Sequence, residues 1–319
     1  MDSHGRKAVA ATLSVASNTA LVIFKIVVGL VTGSVSVMSE AIHSGMDLVA
    51  ACIALVAVRA SGKPADDDHP YGHGKFENLS GAIEALLIFT AAGWIIYEAI
   101  HKLLAPSPIE TMGLGVAVMF VSAAVNVVVS RILFKVGRET DSVALLADAW
   151  HLRTDVYTSA GVMAGLGLIM VGGVVLPGVS LLWLDPVVAI AVAMLIMHAA
   201  FRLTRQSVRD LLDASMPGEE REWIRAYLGS LASRIRGFHR LRTRKAGPTR
   251  FVEFHLLVAA DMHVDESHGI TDEITAHIVD RFPGALVTIH IEPCDGTCKP
   301  VCVDGCFLDE DGRRAVRAS

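Results

Sequence analysis

Four things are missing from this sequence, and each absence removes a class of function. There is no surplus of positive charge: 28 Lys and Arg stand against 33 Asp and Glu, a formal net charge of -5, and the basic residues are scattered. A nucleic-acid footprint is therefore not expected. No small-residue cleavage site separates the opening Met1-Asp2-Ser3-His4-Gly5-Arg6-Lys7 from the apolar run behind it, so no cleaved leader is expected. Cysteine is sparse, five residues in 319, and four of the five crowd toward the C-terminus, on a side that the loop charges below assign to the cytoplasm. That placement argues against a disulfide framework. Finally, the chain lacks His-Glu-x-x-His, the signature of the helical zinc hydrolases, and no enzymatic activity is expected.

Apolar residues are what it has. They make up 52% of the chain, and the mean hydropathy is +0.49, values that belong to integral membrane proteins. Six stretches can span about 30 Å of hydrocarbon at 1.5 Å per residue: 8–31, 34–60, 77–101, 112–134, 142–171 and 181–203. Basic residues cluster on alternate loops: Arg6 and Lys7; Arg59, Lys63 and Lys75; Arg131, Lys135 and Arg138; Arg202, Arg205 and Arg209. The positive-inside rule then puts both termini in the cytoplasm. Asn18, Glu84 and Asn126 lie within spans and read first as interhelical hydrogen-bonding groups.

Two spans carry one pattern twice. Glu40-Ala-Ile-His43-Ser-Gly-Met-Asp47 and Asp148-Ala-Trp-His151-Leu-Arg-Thr-Asp155 both read acid-x-x-His-x-x-x-Asp. On a helix, a His and the Asp four residues later differ by only about 40° in azimuth, so they share a face. Ionisable groups are costly in lipid and mark an ion or proton route. Depth agrees: counting from the outer end of the second span, His43 is about 14 Å down, and from the inner end of the fifth, His151 is about 15 Å up. Both levels fall near the midplane, where transporters commonly hold substrate between repeated halves. His43, Asp47, His151 and Asp155 make a four-ligand set of the kind zinc(II) favours. Arg153, turned about 200° from His151, is expected to partner Glu40, Glu84 or Asp148.

Between the second and third spans, Asp66-Asp67-Asp68-His69-Pro70-Tyr71-Gly72-His73 reads two ways, as a metal loop through Asp66, His69 and His73 or as a solvated acidic turn. Past Asp213 the hydropathy falls, and a helix at 217–230, strands at 237–244 and 250–259, a helix at 265–282 and a strand at 285–292 are expected. This αββαβ order suggests a two-layer α+β sandwich. His239, His255, His268 and His290, with Glu292, are spread over its elements, either converging on a metal or scattered over the surface. Cys294, Cys298, Cys302 and Cys306 recur every four residues. Auxiliary capture of a soft ion and a tail without fixed structure are the two readings there.

Together these residues resemble the cation diffusion facilitator family of zinc-transporting proton antiporters. The marks are Ser39-Glu40-Ala-Ile-His43-Ser-Gly-Met-Asp47, Asp68-His-Pro-Tyr-Gly-His-Gly-Lys75-Phe-Glu77, Ala147-Asp-Ala-Trp-His151-Leu-Arg-Thr-Asp155 and Leu241-Arg-Thr-Arg-Lys-Ala-Gly-Pro-Thr249. The likeness runs from the first span to about Pro293. It implies a membrane all-α six-helix bundle (1–210) and a cytoplasmic α+β, metallochaperone-like domain that dimerises (211–293); beyond them the cysteine-containing tail (294–319), expected to be flexible, has no family role carried over to it. It implies a homodimer in the lipid bilayer of a bacterial inner membrane, exporting a divalent metal, zinc first and cadmium, cobalt or iron(II) as alternatives, against protons. By the same likeness His43, Asp47, His151 and Asp155 are the transport site and Asp66, His69 and His73 a loop site. His239, His255, His268, His290 and Glu292 match a cytoplasmic binuclear site, with Glu292 where an Asp is usual. Lys75 and Asp213 match a charge pair joining the protomers.

Overall fold

The computed structural model describes residues 3–33, 35–104, 113–175 and 183–318. The chain divides into two compact units, Met1–Leu211 and Leu212–Ser319. Among the described residues unit one is six long helices: α1 (Ser3–Thr32), α2 (Val35–Ser61), α3 (Lys75–Leu104), α4 (Gly113–Glu139), α5 (Val143–Val175) and α6 (Leu184–Leu211). Among the described residues, α1, α2, α3, α4 and α6 contain stretches long and apolar enough to cross a membrane. The remaining helix, α5, is the longest at 33 residues and carries Asp148, Arg153 and Asp155. Thirty residues of helix reach about 45 Å, more than the hydrocarbon thickness, so polar ends are left for the headgroup layer.

Helices pack here through small side chains, because lipid offers no hydrophobic penalty to drive large ones together. Ala10, Ala11, Ala57, Ala144 and Ala149 join Val58, Leu133, Leu145 and Leu152 in one buried cluster. Ala85, Ala92, Ala147 and Ala200 join Ile88 and Ile196 in a second. Gly81 marks a close approach of α3 to its neighbours: a Cβ there would stand 2.8 Å from both Ser207 Oγ and Val143 Cγ1. Large apolar side chains such as Ile23, Leu30, Ile42, Leu86 and Trp94 point outward, as a lipid-facing surface requires.

Unit two is a three-stranded sheet in the order β1–β2–β3, with β1 at Gly237–Ala246, β2 at Thr249–Val258 and β3 at Leu286–Pro293. β1 and β2 run antiparallel, with a bulge between His239 and Arg242. Gly247, at φ +57°, and Pro248 turn the hairpin, so the connection is shorter than the five-residue turn expected from sequence. β3 lies parallel to β2, which demands a crossover, and α8 (Val264–Arg281) supplies it. With α7 (Gly218–Ser230) it covers a core of Ile224, Leu228, Phe254, Leu256, Ile274 and Ile278.

The stretch 294–319 differs from the flexible tail expected. Its described residues form α9 (Pro300–Val303) and α10 (Glu310–Ala318), and the chain pairs along β1. Phe238 N–H donates to Gly305 O at 3.0 Å, and Phe307 N–H donates to Arg236 O at 2.9 Å. The free edge of β1 offered unpaired donors and acceptors, and the returning chain uses them.

Candidate metal centres

On α2, His43 and Asp47 share a face, with Nε2 and Oδ1 3.9 Å apart. From α5, Asp155 Oδ1 comes to 3.8 Å from His43 Nε2, and His151 Nε2 to 3.2 Å from Asp47 Oδ1. His43, Asp47 and Asp155 each present a ligand atom within 4.8 Å of the others, and His151 joins them through Asp47. Two buried atoms of the group, His151 Nδ1 and Asp155 Oδ2, have no hydrogen-bond partner among the described residues. Three side chains from two helices thus converge, with His151 beside them on Asp47, and the donor set of the four, two imidazoles and two carboxylates, suits a borderline divalent cation.

Two further acids, Glu84 and Asp148, are completely buried, and among the described residues Glu84 Oε2 and both Asp148 carboxylate oxygens have no hydrogen-bond partner. Arg153 does not pair with them or with Glu40. It lies over the Phe134 ring, 5.6 Å from its centroid, because its position on α5 turns it toward α4. Glu40 instead meets Lys25 Nζ at 3.1 Å, and Lys25 also donates to Ser44 Oγ at 2.8 Å. Sequence reasoning passed over Lys25; a lone cation in the middle of an apolar span was the available signal.

In the loop, Asp66, His69 and His73 offer ligand atoms within 4.8 Å of one another. His69 N–H donates to Asp66 Oδ1 at 2.7 Å, and His73 Nε2 is 3.3 Å from Asp66 Oδ2. That backbone hydrogen bond is the main reason the Asp66 carboxyl is held below its ordinary range, with the nearby His73 and His69 adding to it.

In unit two, His255 Nδ1 is 2.7 Å from Glu292 Oε1, His239 Nε2 is 3.0 Å from Glu292 Oε2, and His290 Nε2 is 3.6 Å from Glu292 Oε1. The register explains the convergence: His239 faces His255 across β1 and β2, and His255 faces His290 across β2 and β3. The His239 Nε2 approach is not angled as a hydrogen bond, so this buried nitrogen is left without one, as fits a metal ligand. Burial would raise the Glu292 carboxyl, but the His255 hydrogen bond and the charges of His255, His239 and His290 outweigh it and hold it low. His268 is not brought in. It stands off the buried stripe of α8 formed by Ser267, Ile270, Thr271, Ile274 and Ile278, and its imidazole pairs with exposed Asp272 at 3.7 Å.

The residue match to the cation efflux transmembrane domain covers 11–212, and that to the cation efflux protein cytoplasmic domain covers 216–294. An uncharacterised transporter of Synechocystis is 35% identical over 285 residues, 89% of this chain and 90% of that one. The cation-efflux pump FieF of Salmonella newport is 33% identical over 291 residues, 91% of this chain and 92% of its own. Among solved structures, the metal-bound C-terminal domain of the CzcD transporter from Thermotoga maritima is 29% identical, covering 24% of this chain and 94% of that chain at a TM-score of 0.23.

Proposed function

Because the chain belongs to the cation efflux family of transporters, we propose that it exports zinc(II) in exchange for protons, through a site built from His43, Asp47, His151 and Asp155. The observation that carries this reading is the meeting of α2 and α5 ligand atoms, His151 Nε2 on Asp47 at 3.2 Å and His43 Nε2 by Asp155 at 3.8 Å. Two carboxylates balance a divalent charge, so the loaded site is formally neutral, and two nitrogens favour zinc over harder ions such as manganese. Cadmium, cobalt and iron(II) share enough of that preference to compete.

Binding needs neutral imidazoles and ionised carboxylates, so a metal entering from the cytoplasm expels protons. Protons returning from the far side relieve the cost of buried negative charge once the metal has left. One occupant displaces the other, and alternation across the membrane is antiport. In this reading residues 1–210 form the transport domain and both termini face the cytoplasm of a bacterial inner membrane. Residues 211–293 bind zinc at His239, His255, His290 and Glu292 and pair two protomers; Asp66, His69 and His73 hold a further ion.

The experiment is reconstitution into vesicles carrying a pH-sensitive dye inside, with zinc added on one side. Zinc flux with an opposing proton flux, both lost in Asp155→Ala that still folds, is the expected result. Zinc flux without proton movement removes antiport, and no flux in the wild-type protein removes transport.

A further inference from the structure

Cys294, Cys298, Cys302 and Cys306 lie outside the family match that ends at residue 294 except for the first of them, and the transport reading gives them no task. All four are free thiols, and all four line a single cavity of about 20 Å³, together with Leu257, Leu308 and Val316. A void of that size has room for about one water molecule or one ion. The segment that carries them is fastened to the sheet at both ends. Cys294 N–H donates to Val258 O at 2.9 Å, and Phe238 and Phe307 N–H bonds hold the stretch around Cys306 to β1. Between these points the chain winds through Gly296 at φ +71° and Cys298 at φ +45°, a left-handed conformation uncommon for a residue with a Cβ. One thiol also reaches the imidazoles: Cys302 Sγ is 3.1 Å from His239 Nδ1, on the ring edge opposite the nitrogen that faces Glu292.

We infer that Cys294, Cys298, Cys302 and Cys306 form a thiolate site for one thiophilic d10 cation, zinc(II) or cadmium(II), separate from the His/Glu centre and linked to it through His239. Sulfur ligands select soft and borderline ions, where the membrane set of nitrogen and oxygen is less selective. Zinc–sulfur bonds of about 2.3 Å place the sulfurs of a tetrahedron about 3.8 Å apart. Among the described residues no three of these sulfurs stand within 4.8 Å of one another, so the ion draws the winding segment inward as it binds. Each thiol that becomes a ligand releases its proton to water. A metal on His239 Nε2 leaves the ring proton on Nδ1, pointed at Cys302. That hydrogen bond to a ligating sulfur is the kind of outer contact that orients a metal ligand.

The test uses the full-length protein in detergent with thiols kept reduced, and cobalt(II) and then cadmium(II) as probes. Wild-type protein and Cys52→Ser are expected to show thiolate-to-metal charge-transfer bands whose full intensity corresponds to one thiolate-bound metal per chain. The fourfold Cys→Ser variant at 294, 298, 302 and 306 is expected to lose the bands and one bound metal per chain. Cys302→Ser alone is expected to weaken binding about tenfold or more. A second variant, Cys294→Ser with Cys298→Ser, leaves Cys302, which meets His239, and Cys306 in place and guards against misfolding; it is expected to lose at least half the band intensity. Bands absent from reduced wild-type protein, or at full strength in either multiple variant, overturn the assignment.

Discussion

His151 Nε2 stands 3.2 Å from Asp47 Oδ1, a contact that ties α5 to α2 where both are buried. Asp47 is also the acid nearest His43 on their common helix, at 3.9 Å. One carboxylate therefore serves both imidazoles, while Asp155 meets only His43 at hydrogen-bonding range or just beyond. Replacing Asp47 by Asn keeps its volume and removes its charge. Since disturbing even the outer partners of a metal ligand costs about 10- to 100-fold, Asp47→Asn is expected to cut zinc flux by at least that factor. Flux within twofold of wild type in reconstituted vesicles would remove Asp47 from the site.

A second buried pair tests stability rather than transport. Lys7 Nζ lies 2.6 Å from Glu77 Oε1, with side-chain exposures of 5% and 0%, and Glu77 also accepts from Ser61 at 2.7 Å and from Ser142. Removing one partner strands a buried charge, which costs about 3–5 kcal/mol. Lys7→Met is expected to lower the unfolding free energy in detergent by that order, and Lys7→Met with Glu77→Gln to recover most of it. A double variant no better than the single one shows that the pair acts through something other than charge.

The first of these contacts was legible in the chain and the Lys7–Glu77 pair was not, since two residues on different helices announce no pairing. The His-x-x-x-Asp spacing could be read because helical geometry alone sets which residues share a face, and charged groups in an apolar span have few places to go. The order of helices and strands in unit two was readable for the same reason, since period and turn residues are local. Arg153 was not, because its partner was chosen by which neighbouring helix packs against that face, and α4 brought Phe134. His268 shares a residue type with His239, His255 and His290 but sits on the solvent side of α8; only the packing stripe separates it from them. The fastening of the C-terminal stretch to β1 depends on a free sheet edge about 70 residues earlier in sequence, a pairing that no local pattern announces.

Glu292 carries a pH prediction. Its carboxyl is held below the ordinary value mainly because the His255 hydrogen bond and the imidazole charges overcome the opposing effect of burial. A depressed carboxyl stabilises the fold at pH above the ordinary carboxylate value of about 4.3 and loses that contribution as pH falls through its own lower value. Glu292→Gln is therefore expected to unfold at a lower temperature than wild type near neutral pH, with the difference shrinking as pH drops below about 4. A difference independent of pH down to that range would mean that the charge of Glu292 contributes nothing. At neutral pH the same variant is expected to bind zinc at the sheet cluster at least about tenfold more weakly, read by metal content.

Gly305 decides whether the C-terminal stretch stays on the sheet. A Cβ at this position would stand 1.8 Å from Phe238 O, and one at Gly237 would stand 2.5 Å from Gly305 O. Those atoms are backbone on both sides, so no side-chain rotation can relieve the clash and the two strands must separate. Gly305→Ala is expected to break the hydrogen bonds between Phe238 N–H and Gly305 O and between Phe307 N–H and Arg236 O. Each is worth about 1 kcal/mol net, so amide exchange at Phe238 and Phe307 should quicken by about fivefold, while β2 amides such as Phe254 keep their protection. Cys302 and Cys306 should also react faster with a thiol reagent, because the cavity they line opens when the stretch lifts. Unchanged exchange at Phe238 and Phe307 in the variant would show that this edge does not hold the chain.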